Sequence, residues 1–193
     1  MPGGDWTELA RTPGKMAGGL TDAVVSVVRR VVRAGKASDL VIDELGVPDL
    51  KHISWSGGPS HVRSVGEALK RVAGGEVEYL VVRAPTGEPV AKGGIDYAAH
   101  ADAGTFWQLA TDSRLQGMGL GTMLIAEGER RIRRRGLRWA MVGVEDNNPR
   151  ARALYERLGY ESWQRNCESW QQEDERGNLR LYETDVNLLR KAL

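Results

Sequence analysis

The sequence predicts an α/β fold of the α+β kind: about seven strands and their helices in the order β-α-α-β-β-β-α-β-α-β-β, behind an N-terminal helical extension. Three observations carry this. A strand, a glycine-rich turn and an amphipathic helix follow one another from Thr105 to Ile132. A short helix between Asn148 and Gly159 is marked at both ends and lies between two further strands. The chain has 193 residues, 41% hydrophobic and 27% charged, which suits one well-buried domain with an appendage. A formal net charge of +1 is too near neutral to argue for nucleic acid or a membrane surface. The single cysteine, Cys167, excludes an intramolecular disulfide and fits a reducing compartment. No apolar run reaches membrane-spanning length and the start has no secretory pattern, so the cytoplasm is expected.

Residues 1–19 carry two prolines and five glycines and read as a loose tail. From Leu20 to Ala34 a helix is expected, capped by Thr21 or Asp22 and ended by Gly35. Its valines, among them Val24, Val25, Val28 and Val32, cover a face too apolar for water. The face is expected to pack on its own domain or on a second copy, which would make a homodimer. We therefore divide the chain into residues 1–37, tail plus apolar helix, and 38–193, the main domain.

Asp39 to Leu45 reads as the first strand. Pro48–Trp55 and Ser60–Ala73 read as helices, the second through Val62, Val65, Leu69 and Val72. Glu78–Ala84 and Val90–Tyr97 are strands around Pro85-Thr86-Gly87, where proline second and glycine fourth suggest a type I turn. Thr105–Thr111 is the next strand. After the glycines a helix is expected with Met123, Leu124, Ala126 and Ile132 inward and Glu127, Glu129, Arg130 and Arg131 outward. Arg138–Glu145 reads as a strand. Asn148 then caps a helix with Pro149 at its first position and Gly159 just past its last turn. Glu161–Trp170 and Leu179–Leu188 are the final strands, joined by a polar loop from Gln171 to Asn178.

The centre of the chain is Gln116-Gly117-Met118-Gly119-Leu120-Gly121. A helix start has N–H groups without intrahelical partners, and glycines let phosphate oxygens approach the backbone. The inference is a phosphate- or diphosphate-binding turn. A dinucleotide fingerprint starting at Gly117 would need glycine where Thr122 stands, and no lysine follows as a P-loop requires. What remains is Gln-x-x-Gly-x-Gly, which resembles the coenzyme A loop of the GCN5-related N-acetyltransferase (GNAT) superfamily. The stretch from Asn148 to Tyr160 resembles the same superfamily's Asn-x-x-Ala-x-x-Leu-Tyr-x-x-x-Gly-Phe/Tyr helix at every position. The resemblance is sharp from Leu109 to Tyr160 and leaves residues 1–37 unaddressed.

The resemblance implies a mixed, mostly antiparallel sheet splayed where the cofactor enters, and transfer of an acetyl group from acetyl-CoA directly to a primary amine. No metal is implied. It implies that the backbone of Gln116, Gly117, Met118, Gly119, Leu120, Gly121 and Thr122 holds the diphosphate. By the same resemblance the pantetheine arm lies along Leu109 and Thr111 like an added strand, and Asn148 reaches it. Tyr155 is implied as the acid that protonates the leaving thiolate; a phenol is protonated at neutral pH and near a thiol in pKa. Some members use a glutamate as base on the fourth strand, but Ala103–Thr111 holds no carboxylate. Asp96, His100 and Glu145 are candidates elsewhere, beside a water-mediated path, and no base is assigned.

The arginine run 130–135 reads as a solvated helix end, with Arg114 and Arg150 as further candidates for CoA phosphates. Trp55, Trp107, Trp163 and Trp170 are core or acceptor-pocket residues. Cys167 has no partner at metal spacing. A small-molecule amine is the expected acceptor. A protein N-terminus or lysine, or a non-catalytic acyl-CoA-binding module, are the alternatives. The partners expected are thus acetyl-CoA and an amine, with neither nucleic acid nor membrane.

Overall fold

Short apolar segments bounded by glycine, proline and charge build one mixed sheet. In the computed structural model its strands are β1 (Val41–Glu44), β2 (Val77–Arg83), β3 (Pro89–Asp96), β4 (Ala103–Thr111), β5 (Trp139–Glu145), β6 (Glu161–Glu173) and β7 (Leu179–Ala192). The structure describes residues 20–173 and 178–193; the expected tail and the middle of the polar loop lie outside them. The strands lie in the order β1-β2-β3-β4-β5-β7-β6. Neighbours are antiparallel except β4 and β5, which are parallel because the helix α3 (Leu120–Arg134) crosses between them.

Helices cover both faces. On one, α3 and α4 (Pro149–Arg157) pack Leu124, Ile132 and Tyr155 against Ile95, Phe106 and Val142. The N-terminal helix α1 (Asp22–Arg33) joins this core through Val24, Val25 and Val28. The valine face therefore packs on its own domain, the first of the two expected arrangements. Thr21 caps the helix, its hydroxyl accepting from the Val24 N–H at 3.4 Å. Arg114 fastens its start, with Nη1 3.1 Å from Asp22. On the other face α2 (Pro59–Val72) lays Val65 and Ala68 over Val77, Tyr79 and Trp107.

Three expectations need correction. Pro48–Trp55 is not an α-helix but two 3₁₀ turns, Val47–His52 and Ser54–Ser56. Ile53 and Trp55 are both buried, and two residues apart they would leave an α-helix on nearly opposite sides. The Trp55 indole N–H also donates to the Pro89 carbonyl at 3.1 Å. On α3, Ala126 is exposed and Ile125 buried, while Glu129 is buried where it takes Lys191 at 2.8 Å and the Tyr160 hydroxyl at 3.1 Å. Finally, β7 runs on to Ala192, because Leu189 fills the core while Arg190 lies over the Trp139 ring.

Charge pairs tie the layers together. Arg131 meets Glu78 at 2.9 Å and Glu44 at 3.0 Å, and Arg135 meets Glu78 at 2.9 Å. Burial opposes the charge on Glu78, yet these arginines hold its carboxyl below the usual range. Arg83 likewise lowers Asp49 through a two-pronged contact at 2.8 and 2.9 Å. A carboxylate lowered by folding stabilises above its ordinary pKa and loses that contribution as pH falls through the folded value. The melting temperature is therefore expected to drop as pH falls below roughly 4 to 5. Glu78→Gln should flatten that slope in a pH series of thermal melts; an identical slope would remove Glu78 from the account.

Candidate active site

The sheet opens beside β4. Pairing with β5 runs from Ala103↔Trp139 to Phe106↔Val142 and stops. From Trp107 to Thr111, β4 is paired only on its β3 side, where Lys92↔Ala110 and Ala91↔Thr111 continue the ladder. The cause is a β-bulge. The register slips between Lys92 and Gly94, and Gln108 sits at φ +50° as the extra residue. The facing glycines make room for it: a Cβ on Gly94 would lie 1.7 Å from the Trp107 ring and one on Gly93 2.3 Å from Leu109. Two adjacent glycines inside a strand were the available signal for this bulge, which the sequence reading passed over.

The open edge leads through Asp112 into the glycine loop. Gly117 and Gly119 stand at φ +78° and +85°, conformations that a side chain strains. Beyond their chain neighbours no atom lies within 4 Å of where their Cβ atoms would be, so the space beside both is open. Gly119 is the N-cap of α3 and offers no side chain, leaving the first-turn N–H groups uncapped. Gln116 and Gly119 are exposed, Met118 is half-buried in the core and Leu120 is fully buried, anchoring the helix start. Loop shape and uncapped amides fit a diphosphate, which needs N–H donors and backbone without side chains.

The helix α4 stands beside the loop. Arg150 donates to the Gln116 side chain at 3.2 Å, and Leu154 lies 3.6 Å from where a Cβ on Gly121 would be. Asn148 caps α4, accepting from the Ala151 N–H at 3.1 Å, and Gly159 at φ +88° ends it. Tyr155 is 2% exposed, and burial pushes its phenol above the ordinary range. It therefore stays protonated across any working pH, while being a weaker acid than a free phenol. Its ring centre is 6.1 Å from that of Tyr160.

The three base candidates separate by position. Asp96 pairs with Thr105 at the closed end; its carboxylate takes the Ala98 and Ala99 N–H groups at 2.7 and 3.1 Å and faces Arg71 at 2.7 Å. His100 shares that end, 3.2 Å from the Thr105 hydroxyl, with burial lowering its pKa. Glu145 alone lies past the last β4–β5 pair, buried, accepting from the Tyr182 hydroxyl at 3.1 Å. The arginine run sits at the far end of α3, about 15 Å from the loop, where Arg130 and Arg131 are paired with Glu127. Arg114 is committed to Asp112 and Asp22. Trp55 and Trp107 are core, Trp163 is exposed, and the Trp170 side chain is outside the described residues. Cys167 is free and exposed, and no group of three metal-ligating side chains occurs among the described residues.

A sequence model of the acetyltransferase (GNAT) family matches residues 49–160, more than half of the chain, and the chain belongs to that family. Among curated relatives, mycothiol acetyltransferase of Thermobifida fusca is 38% identical over 61 residues, covering 32% of this chain and 19% of that protein. The Salinispora arenicola enzyme of that name is 44% identical over 61 residues, covering 31% and 20%. The chain thus matches about a fifth of the length of these relatives. Among solved structures, the ribosomal-protein-S18-alanine N-acetyltransferase of Escherichia coli superposes with TM-score 0.62 at 19% identity, over 79% of this chain and 93% of that one. Spermidine N-acetyltransferase of Vibrio cholerae, in complex with CoA and spermine, gives 0.61 at 18%, over 80% and 96%. These likenesses establish a shared fold.

Proposed function

We propose that the chain is an acetyl-CoA-dependent N-acetyltransferase that acetylates a primary amine of a small molecule. The observation that carries this reading is the open β4 edge from Trp107 to Thr111 leading directly into an uncapped, glycine-lined helix start. Acetyl-CoA supplies an activated acetyl thioester. In this proposal the loop amides from Gln116 to Thr122 bind the diphosphate and Arg150 adds a cation beside them. Leu109 and Thr111 exchange main-chain hydrogen bonds with the pantetheine arm, and Asn148 orients it. The Leu109 N–H donates to the carbonyl oxygen as negative charge develops there. The Tyr155 hydroxyl gives its proton to the departing sulfur. Glu145, at the open end of β5, is the carboxylate best placed to take the proton of the amine, directly or through water.

A small-molecule acceptor is supported by the names of the mycothiol and spermidine acetyltransferases. The ribosomal-protein enzyme keeps a protein amine as the alternative. A non-catalytic acyl-CoA sensor is a further alternative, and the Tyr155 context speaks against it. The proposal includes cytoplasmic residence and the division at residue 38. Among the described residues no helix is long and apolar enough to cross a membrane. A homodimer enters only through surfaces other than the valine face of α1, which the chain itself covers.

Thiol release from acetyl-CoA across a panel of polyamines, amino sugars, amino acids and N-terminal peptides tests the acceptor. Turnover of at least one small amine, at a kcat/KM well above that of the peptides, is expected. Turnover of peptides alone would replace the small-molecule reading, and CoA binding without turnover of any amine would favour the sensor.

A further inference from the structure

Lys92 is the least expected residue in the sheet. All eight residues of β3 are buried, and the Lys92 side chain has no exposed surface. Burying a polar amine is costly, and an apolar side chain of similar length would fill the same space without that cost. The Lys92 Nζ reaches the bulge of β4 directly and through Tyr79. It donates to the Gln108 carbonyl at 3.1 Å and to the Tyr79 hydroxyl at 2.9 Å. Tyr79 in turn donates to the Gln108 side-chain oxygen at 2.8 Å, and the Gln108 amide donates to Ser64 at 2.9 Å. A non-glycine residue at φ +50° is thus held at its carbonyl and at both polar atoms of its side-chain amide.

The Gln108 carbonyl and the Leu109 N–H belong to one peptide group. That group is planar and trans, so the N–H points away from the carbonyl and therefore away from Lys92. A hydrogen-bond donor on the carbonyl fixes the plane and draws electron density from the nitrogen, which strengthens the N–H as a donor. We propose that Lys92 is a positioning residue for acetyl transfer: it holds and polarises the Gln108–Leu109 peptide so that the Leu109 N–H is aimed and strengthened toward the acyl oxygen. This rests on the N-acetyltransferase reading and adds to it a side chain acting through the backbone from the buried side of the sheet. The same contacts give Tyr79 and Ser64 a role as the outer ties of the bulge.

The test compares Lys92→Met and Tyr79→Phe with the wild type, each first checked for a cooperative thermal transition. The first readout is the Leu109 amide in ¹H–¹⁵N spectra of the free protein, so it does not depend on turnover. The second is thiol release from acetyl-CoA with the amine that the wild type acetylates fastest. Lys92→Met is expected to move the Leu109 amide proton upfield, and to lower kcat about tenfold with KM for acetyl-CoA within about twofold. Tyr79→Phe should act in the same direction by a smaller factor, and it carries the test if Lys92→Met does not fold. A Leu109 amide that stays in place in a folded variant overturns the proposal, as does a lowered melting temperature with kcat unchanged. Failure of the transferase reading would show instead as the Leu109 amide shift in Lys92→Met beside a wild type with no turnover.

Discussion

Replacing Tyr155 by phenylalanine is expected to lower kcat about 100-fold and to leave KM for acetyl-CoA nearly unchanged. The ring is 2% exposed and packs beside Tyr160, so losing only the hydroxyl leaves the core filled. A general acid acts in the transition state, which is why the loss falls on kcat and not on binding. Burial raises the Tyr155 pKa, so the alkaline limb of the kcat profile should not belong to this phenol. Steady-state kinetics of the variant decide the point; an unchanged kcat would remove Tyr155 from the mechanism.

Replacing Gly119 by valine is expected to raise the dissociation constant for CoA at least about tenfold, or about 1.4 kcal/mol. Two effects add. The backbone at φ +85° is left-handed, which costs a β-branched residue about 1–2 kcal/mol at this position. The new side chain would also stand in the open space beside the loop, where the proposed diphosphate would approach the amides. Gly136, at φ +74° after the far end of α3, is the matched control with equally open surroundings. Gly136→Val should cost similar stability and leave CoA affinity unchanged, as read by calorimetric titration. Equal losses of affinity in the two variants would make the effect one of folding alone.

Much of this fold was legible because its signals are local. Thr21, Asn148 and Gly159 cap helices in the structure as their residue types predict, and the glycines 117 and 119 adopt the left-handed angles that the loop requires. The seven strands follow from alternation and punctuation, and the family resemblance supplied their arrangement. What was not legible depends on partners distant in sequence. Glu129 reads as an outward charge until Lys191, 62 residues later, meets it in the core. Ile53 and Trp55 follow a helical pattern only while the sheet that buries both is unknown. Gln108, Tyr79 and Lys92 share no motif, since a bulge is created by two strands together and three side chains from different strands hold it. The separation of Glu145 from Asp96 and His100 likewise depends on where β4 and β5 part.

Acetyl transfer by this chain requires that the glycine loop bind coenzyme A, and thermal unfolding with ligand tests that most directly. At about 100 times the dissociation constant a ligand specific for the folded state adds about 2.7 kcal/mol, roughly 5–10 °C for a domain of this size. CoA and acetyl-CoA are expected to raise the melting temperature by that amount and NADH to leave it in place. A melting temperature unmoved by saturating CoA would mean that the loop from Gln116 to Thr122 is only a turn, and the enzymatic reading would fall with it.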